Sequence, residues 1–307
     1  MRRTAPLLAA TLAVASSVVL TAGPAEAKVS PPTANPHSIK TSPYVALGDS
    51  YSSAAGVAPP VVGAPAGCSR SQLNYPHDIA ALTKPSSFTD VTCSGARTSD
   101  FYTAQQVTPQ DSTIRPQLAA VTKDTRLVTM TIGGNDEGVF VGSFFGCVGQ
   151  VATPTTPNPC QSKYGNFFVD EIEQQTYPNL VKALTAVHAK APAATVAILG
   201  YPEILPPQWA PGCAAMGIAP GDVPWLHHQQ DVLNAVVSMA AQRTGSRFID
   251  MTPSSTGHDA CQLPGTRWIE PLVTTLAFPV HPNATGEAAM AQQTLQQLGL
   301  LTTADKH

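Results

Sequence analysis

Five short apolar runs, rich in β-branched and aromatic residues, punctuate the chain: 43–48 (PYVALG), 88–93 (FTDVTC), 126–134 (RLVTMTIGG), 195–201 (TVAILGY) and 247–250 (RFID). Their length and composition, and the Gly, Pro and polar turn residues around them, are those of strands. Between and after them apolar positions recur at helical spacing. The clearest helices are 178–191, where Pro178 suits a first turn, 223–245, and 283–299, which Asn283 opens as a cap and Gly299 closes. Strands that alternate with helices form parallel βαβ units, and strands that are apolar nearly throughout are covered on both faces. The expected architecture is α/β: a three-layer α/β/α sandwich on a doubly wound, mainly parallel sheet of about five strands. Ligands of such sheets bind outside the carboxyl ends of the strands, so the chemistry is sought where the apolar runs stop.

The first residues belong to a different pattern. Arg2 and Arg3 precede an apolar run from Leu7 to Leu20 and then Ala-Glu-Ala at 25–27, which reads as a secretory signal over 1–27. A Pro/Ser/Thr-rich leader over 28–42 and a single domain over 43–302 follow. The apolar run is short for a membrane span of about 20 residues, and no later stretch is long and uncharged enough, so stable membrane insertion is not expected. A secreted, extracellular, monomeric protein is. Charged residues make up 12% of the 307 residues and the formal net charge is −3, which leaves no electrostatic footprint for nucleic acid or anionic membrane. Neutral or apolar partners fit better.

Six cysteines (Cys68, Cys93, Cys147, Cys160, Cys213 and Cys261) form an even set without C-x-x-C spacing, so an exported chain would hold three disulfides. About fifteen connectivities exist for six cysteines, and sequential pairing closes the shortest loops. Cysteines fall in each of three long connections, 139–166, 201–222 and 251–280. Connections of that length are unusual unless they build a site or are disordered, and crosslinking argues for the first.

Candidate chemistry gathers at the strand ends. Gly48-Asp49-Ser50 follows the first run and opens a helical turn, where a backbone N–H lacks an intrahelical acceptor. The competing reading is that Ser50 or Asp49 only caps that turn. The stretch is not a G-x-S-x-G elbow, because Ser52 stands where the second glycine would be. Gly95 (CSGARTSDF) follows the second run, Asn135 (TIGGNDEG) the third, and His281 (PVHPNATG) precedes the last helix. Singly, these read as a turn glycine, an Asx-turn residue and a loop histidine. Asp49 and Asp136 read as braces of their turns. His227 and Asp231 stand four apart on a helix, but a third ligand is missing and no metal is expected. Nor does a phosphate-cradling motif or any other sign of a cofactor appear.

Taken in order, the four blocks resemble the SGNH hydrolases, also called GDSL esterases and lipases, over 44–299. That resemblance implies a flavodoxin-like fold, Ser50 as nucleophile, His281 as general base, and an oxyanion hole made of the N–H groups of Ser50 and Gly95 with the side-chain amide of Asn135. The cysteine layout resembles secreted lipases and phospholipases of actinomycete type, whose sequential disulfides imply the pairs 68–93, 147–160 and 213–261. The physical case stands beside the name. A serine hydroxyl needs a base within hydrogen-bond reach, and a tetrahedral intermediate needs donors already in place. One position departs from the pattern: many members carry Asp three residues before the histidine, and here that residue is Phe278. A backbone carbonyl, of Phe278 or Pro279, is the expected replacement for orienting the imidazole; the alternative is a carboxylate such as Asp259 or Glu270.

The stretch 138–147 (GVFVGSFFGC) is apolar and glycine-broken. It reads either as core or as an acyl-chain wall beside Asn135. With the low charge, it favours a lipid or other apolar ester, cleaved by a lipase-type esterase. Phospholipase A-type activity and a polysaccharide acetyl esterase are the alternatives, the second disfavoured by only three Trp and seven Tyr for stacking on sugars. A non-catalytic secreted binding module and a cysteine-stapled structural protein rank lower, because neither explains four site blocks at strand ends.

Overall fold

The computed structural model describes residues 41–273 and 276–301. The segment read as a signal, and all but the last two residues of the leader, lie outside them. Five strands form one sheet: β1 (Tyr44–Ala46), β2 (Phe88–Asp90), β3 (Leu127–Met130), β4 (Thr195–Leu199) and β5 (Arg247–Ile249), in the order β2-β1-β3-β4-β5. Every pairing is parallel. The three inner strands are fully buried, which accounts for their nearly all-apolar sequences.

Crossovers place the helices. A short helix α1 (Ser50–Ser53) follows β1, α2 (Tyr75–Thr83) connects β1 to β2, α3 (Tyr177–Lys190) connects β3 to β4, and α4 (Val223–Thr244) connects β4 to β5. The chain moves one way along the sheet from β1 to β2 and the other way from β3 to β5. Right-handed crossovers therefore put α2 on one face and α3 with α4 on the other. The C-terminal helix α5 (Ala284–Gln297) packs on α2, and α3 packs on α4. The result is the expected three-layer sandwich.

All five strands and three of the helices fall where the apolar pattern predicts them, whereas α2 lacked a visible signal. Its sequence, YPHDIAALT, has few apolar positions at helical spacing. What starts it is Asn74, whose side chain accepts the His77 N–H, with Pro76 in the first turn. Of three disulfides, Cys68–Cys93 ties the β1–β2 connection to the end of β2, Cys147–Cys160 closes a loop within the connection after β3, and Cys213–Cys261 joins the connections after β4 and β5.

The strand order reverses between β1 and β3, so the connections that leave their carboxyl ends run to opposite sides of the sheet. Beyond the strands proper the ladder continues: Leu47 N–H donates to Thr129 O and Asp49 N–H to Thr131 O on one side, Val91 N–H to Ala46 O and Cys93 N–H to Gly48 O on the other. Gly48 lies in this seam with φ +121°, and a Cβ there would sit 2.5 Å from the Thr131 carbonyl oxygen. Gln117 adds a clamp, its side-chain oxygen accepting the Gly48 N–H (2.7 Å) while its amide donates to Gly48 O (3.0 Å).

Because the obstruction at Gly48 is backbone, it has no rotamer by which to move aside. Gly48→Ala is expected to destabilise the protein by about 2–4 kcal/mol, backbone strain and overpacking together. Urea unfolding of the variant measures this, and a change within about 0.5 kcal/mol of wild type, the range of an ordinary surface substitution, contradicts it.

Candidate active site

Asp49 caps α1: its Oδ1 accepts the Tyr51 N–H at 3.0 Å. The cap is thus the aspartate, and Ser50 is released from that duty. Among the described residues, neither the Ser50 hydroxyl nor its backbone N–H has a hydrogen-bond partner. Ser50 is 6% exposed, at the mouth of a small cavity lined also by Tyr51, Gly134, Asn135, Phe140 and Tyr201.

The Asp49 carboxylate does more than cap. Buried to 1% exposure, it also accepts the Thr131 hydroxyl (2.7 Å) and the Tyr201 hydroxyl (2.5 Å). Burial raises its pKa to about 6, and these hydrogen bonds from Tyr201, Thr131 and the Tyr51 amide hold it from rising further. Asp136 has a corresponding role after β3. Its carboxylate accepts the Thr98 N–H (2.9 Å) and hydroxyl (2.5 Å), which locks the turn carrying Gly95 to the end of that strand; burial brings its pKa also to about 6.

Asn135 follows β3. One N–H of its side-chain amide donates to Ala96 O at 3.1 Å, which ties the amide to the Gly95 turn and leaves the second N–H free. Gly95 is exposed, and its backbone N–H has no acceptor among the described residues. A further tie comes from Gln105, whose amide donates to Ser94 O at 2.7 Å. Free N–H groups thus occur at each of the three expected donor positions.

His281 reaches this edge from the loop before α5. Its ring centroid is 5.1 Å from that of Tyr51 and 6.1 Å from that of Phe140, two side chains that line the Ser50 cavity. Nδ1 lies 2.7 Å from the carbonyl oxygen of Pro279. A carbonyl can only accept, so Nδ1 carries the proton and Nε2 is left as a lone pair. The Phe278 carbonyl instead accepts the His281 backbone N–H at 3.2 Å. The two candidate carboxylates are engaged elsewhere: Asp259 with Cys261 N–H and Gln262, Glu270 with Arg267 and Asn283.

The histidine loop is strained and firmly held. Val280, a β-branched residue, has φ +58°, a conformation that costs about 1–3 kcal/mol and persists only where the surroundings impose it. They do. Val280 N–H donates to Glu270 O (2.8 Å), Glu270 N–H to His281 O (2.9 Å), and the Tyr51 hydroxyl to Val280 O (2.5 Å). The Glu270 carboxylate, fully buried, is paired with Arg267 and accepts from Asn283, which in turn caps α5.

Two participants escaped the sequence reading. Tyr201 was visible only as the end of the fourth apolar run, and Tyr51 as the residue after Ser50; a tyrosine in an apolar strand end is a core residue until its hydroxyl is seen to have partners. The apolar stretch 138–147 turns out to be both core and surface. Val139, Phe140 and Phe144 are buried, Phe140 lines the Ser50 cavity, and Val141 (58% exposed) and Phe145 (41%) face outward. His227 bonds Leu205 O (2.8 Å) and lies 3.4 Å from Asp231. Among the described residues, no group of three or more His, Cys, Asp or Glu side chains could hold a metal ion, and no helix is long and apolar enough to cross a membrane.

An all-parallel sheet with a free serine hydroxyl, free N–H donors and a loop histidine at its switch point places the protein among the α/β ester hydrolases. The chain belongs to the GDSL-like Lipase/Acylhydrolase family, whose model matches residues 46–289. It is similar to "Lipase 2" of Streptomyces coelicolor, with 46% identity over 96% of this chain and 97% of that protein. Among solved structures it resembles phospholipase A1 from Streptomyces albidoflavus NA297 (TM-score 0.70, 32% identity, 84% of this chain and 99% of that one). It also resembles an extracellular lipase from Streptomyces rimosus (TM-score 0.68, 29% identity, 83% and 99%). The protein is a carboxylic ester hydrolase of the lipase/esterase type.

Burial lowers the His281 pKa to about 4, and the Pro279 carbonyl offsets only a fraction of that. Because the folded value is depressed, the associated stability is complete above about pH 6.5, the unperturbed histidine value, and is lost as the pH falls through 4. The ring of His281, followed by NMR, is expected to titrate near pH 4; a midpoint at or above 6.5 contradicts the burial argument.

Proposed function

We propose that the protein is a secreted esterase acting on lipid or other apolar esters through an acyl-enzyme on Ser50, with His281 as its general base. The observation that carries this reading is the His281 Nδ1–H bond to the Pro279 carbonyl, since it dictates the tautomer whose Nε2 can take a proton. The Ser50 hydroxyl attacks the ester carbonyl as Nε2 accepts its proton. The oxyanion is received by the N–H groups of Ser50 and Gly95 and by the Asn135 amide. Protonated His281 then delivers its proton to the departing alcohol, and water repeats the steps on the acyl-enzyme. The Pro279 carbonyl orients the ring throughout. No cofactor or metal is involved.

Phe140 beside Ser50, and the outward Val141, Phe145 and Phe278 (43% exposed), favour an acyl chain with apolar length over an acetyl group on a sugar. A phospholipid ester is the second reading, favoured by the resemblance to the Streptomyces albidoflavus phospholipase A1. Export through the 1–27 signal, a single hydrolase domain over 43–302 and a monomeric state belong to the same proposal. Three disulfides support an oxidising compartment, and the Streptomyces rimosus relative is itself an extracellular lipase.

Ser50→Ala is expected to abolish turnover and labelling by an organophosphonate while the fold survives, and Asn135→Ala to lower kcat on the order of a hundred- to a thousandfold. Asp259→Asn should leave kcat within about twofold, because its carboxylate binds only its own loop. Wild-type turnover by Ser50→Ala overturns the nucleophile. A series of nitrophenyl esters should favour medium or long chains, and phosphatidylcholine beside triacylglycerol separates the two lipid readings; cleavage of acetyl esters alone refutes both.

A further inference from the structure

Tyr201 ends the extension of β4 at the sheet edge and is fully buried. Its hydroxyl makes two bonds, accepting the Gly134 N–H at 2.9 Å and donating to Asp49 Oδ2 at 2.5 Å. Gly134 is the residue immediately before Asn135, and Asp49 the residue immediately before Ser50. A single oxygen thus spans the two loops that carry opposite donors of the proposed oxyanion hole.

Its own position is fixed from outside both loops. The Tyr201 N–H donates to Asn234 Oδ1 (2.8 Å), and its carbonyl accepts from Asn234 (2.9 Å) and Gln230 (3.2 Å), all on α4. The ring stands edge-on to Tyr51, with centroids 5.1 Å apart. The gap is matched on the far side as well, because a Cβ on Gly134 would lie 2.9 Å from the Tyr201 hydroxyl. The ring lines the Ser50 cavity while the hydroxyl is taken up by the protein.

We propose that Tyr201 is a positioning residue of the hydrolase, whose hydroxyl sets the distance between the Ser50 N–H and the Asn135 amide. The inference rests on the oxyanion-hole assignment above. An oxyanion donor works only when its hydrogen points at the developing charge, at about 2.7–3.1 Å, and displacement by about 1 Å can cost a hundredfold in rate. Loss of the hydroxyl would leave the Gly134 N–H without its acceptor and Asp49 with two of its three donors. Both changes act one residue from the reacting groups, and neither touches the substrate.

Tyr201→Phe keeps the ring and removes only the two bonds. The expected result is a kcat lower by about 10- to 100-fold with KM within about twofold, and an equal fall in the rate of organophosphonate labelling. Tyr44→Phe is the control, since that buried hydroxyl bonds Thr129 (2.6 Å) within the sheet and touches neither Asp49 nor Gly134; it should lose stability without losing kcat. The deciding measurement is a double-mutant cycle. In an Asn135→Ala background, Tyr201→Phe should cost at least several-fold less kcat than it does in the wild type, because one of the two donors whose spacing it sets is already gone.

Losses that multiply in the cycle, or a Tyr201→Phe enzyme with wild-type kcat and labelling rate, overturn the positioning role. They do so while Ser50→Ala stays inactive, so the nucleophile assignment survives them; an active, unlabelled Ser50→Ala overturns that assignment instead. If Tyr201→Phe does not fold, Gly134→Ala pushes the same oxygen away from the same peptide, and the cycle is read on that variant with the same two outcomes.

Discussion

A buried carboxylate without a cation beside it is an expensive object, and this fold is arranged around one. Asp49 accepts the Tyr51 N–H, the Thr131 hydroxyl and the Tyr201 hydroxyl, so α1 and the ends of β3 and β4 converge on the same two oxygens. A hydrogen bond to a charged group contributes about 1.5–3 kcal/mol net, so three of them offset a desolvation cost of several kcal/mol. None can be removed cheaply. The geometry at the mouth of the sheet follows, because any shift of one strand end relative to another breaks a charged bond in a dry place. Gly48, with no side chain to hold the strands apart, is what lets Asp49 enter that position.

On the other side of the serine the arrangement is reversed, with a neutral partner where a charged one is common. The Pro279 carbonyl fixes the His281 tautomer but supplies little field to stabilise an imidazolium, so burial dominates and the pKa falls to about 4. A base of that strength is correctly deprotonated at all neutral and mildly acidic pH, yet takes a proton from serine with less driving force than one poised near 7. Under the proposed roles, more of the barrier must then be lowered by the oxyanion donors, whose spacing is set by Asp49, Asp136 and Tyr201. The strained Val280 is consistent with this: three backbone and phenolic hydrogen bonds are committed to holding the ring where no carboxylate does.

What the sequence disclosed, and what it hid, divides along a physical line. The three inner strands were legible because burial on both faces makes them nearly all apolar, the edge strands β2 and β5 from aromatic and β-branched residues set between turn signals, and α3, α4 and α5 because each has an apolar face at helical spacing. The short α2 was not, since it rests on Asn74 capping and on contacts with α5. Ser50, Gly95, Asn135 and His281 stood out as polar or glycine punctuation at the ends of apolar runs. Tyr51 and Tyr201 did not, because a tyrosine in such a run is indistinguishable from core until its hydroxyl finds Val280 O or Asp49. Nor could one-dimensional reading decide between Pro279, Phe278, Asp259 and Glu270 as neighbours of the His281 ring; that choice depends on the backbone turn at Val280.

Covalent clamps sit where the hydrogen-bond ladders end. Cys68–Cys93 fixes the approach to the Gly95 turn, and the Cys68 carbonyl itself accepts the Ser94 N–H at 2.9 Å. Cys147–Cys160 closes a loop in the same connection as Phe140, and Cys213–Cys261 ties the connection after β4 to the one that leads to His281. Loops carry function but lack the repeating bonds that make helices and strands rigid. With sequence separations of 25, 13 and 48, each crosslink removes unfolded-state entropy worth roughly 3–4 kcal/mol on the chain-entropy model. The stabilisation is thereby placed in the segments that have least of their own, and these are the segments from which the rim of the candidate site is made.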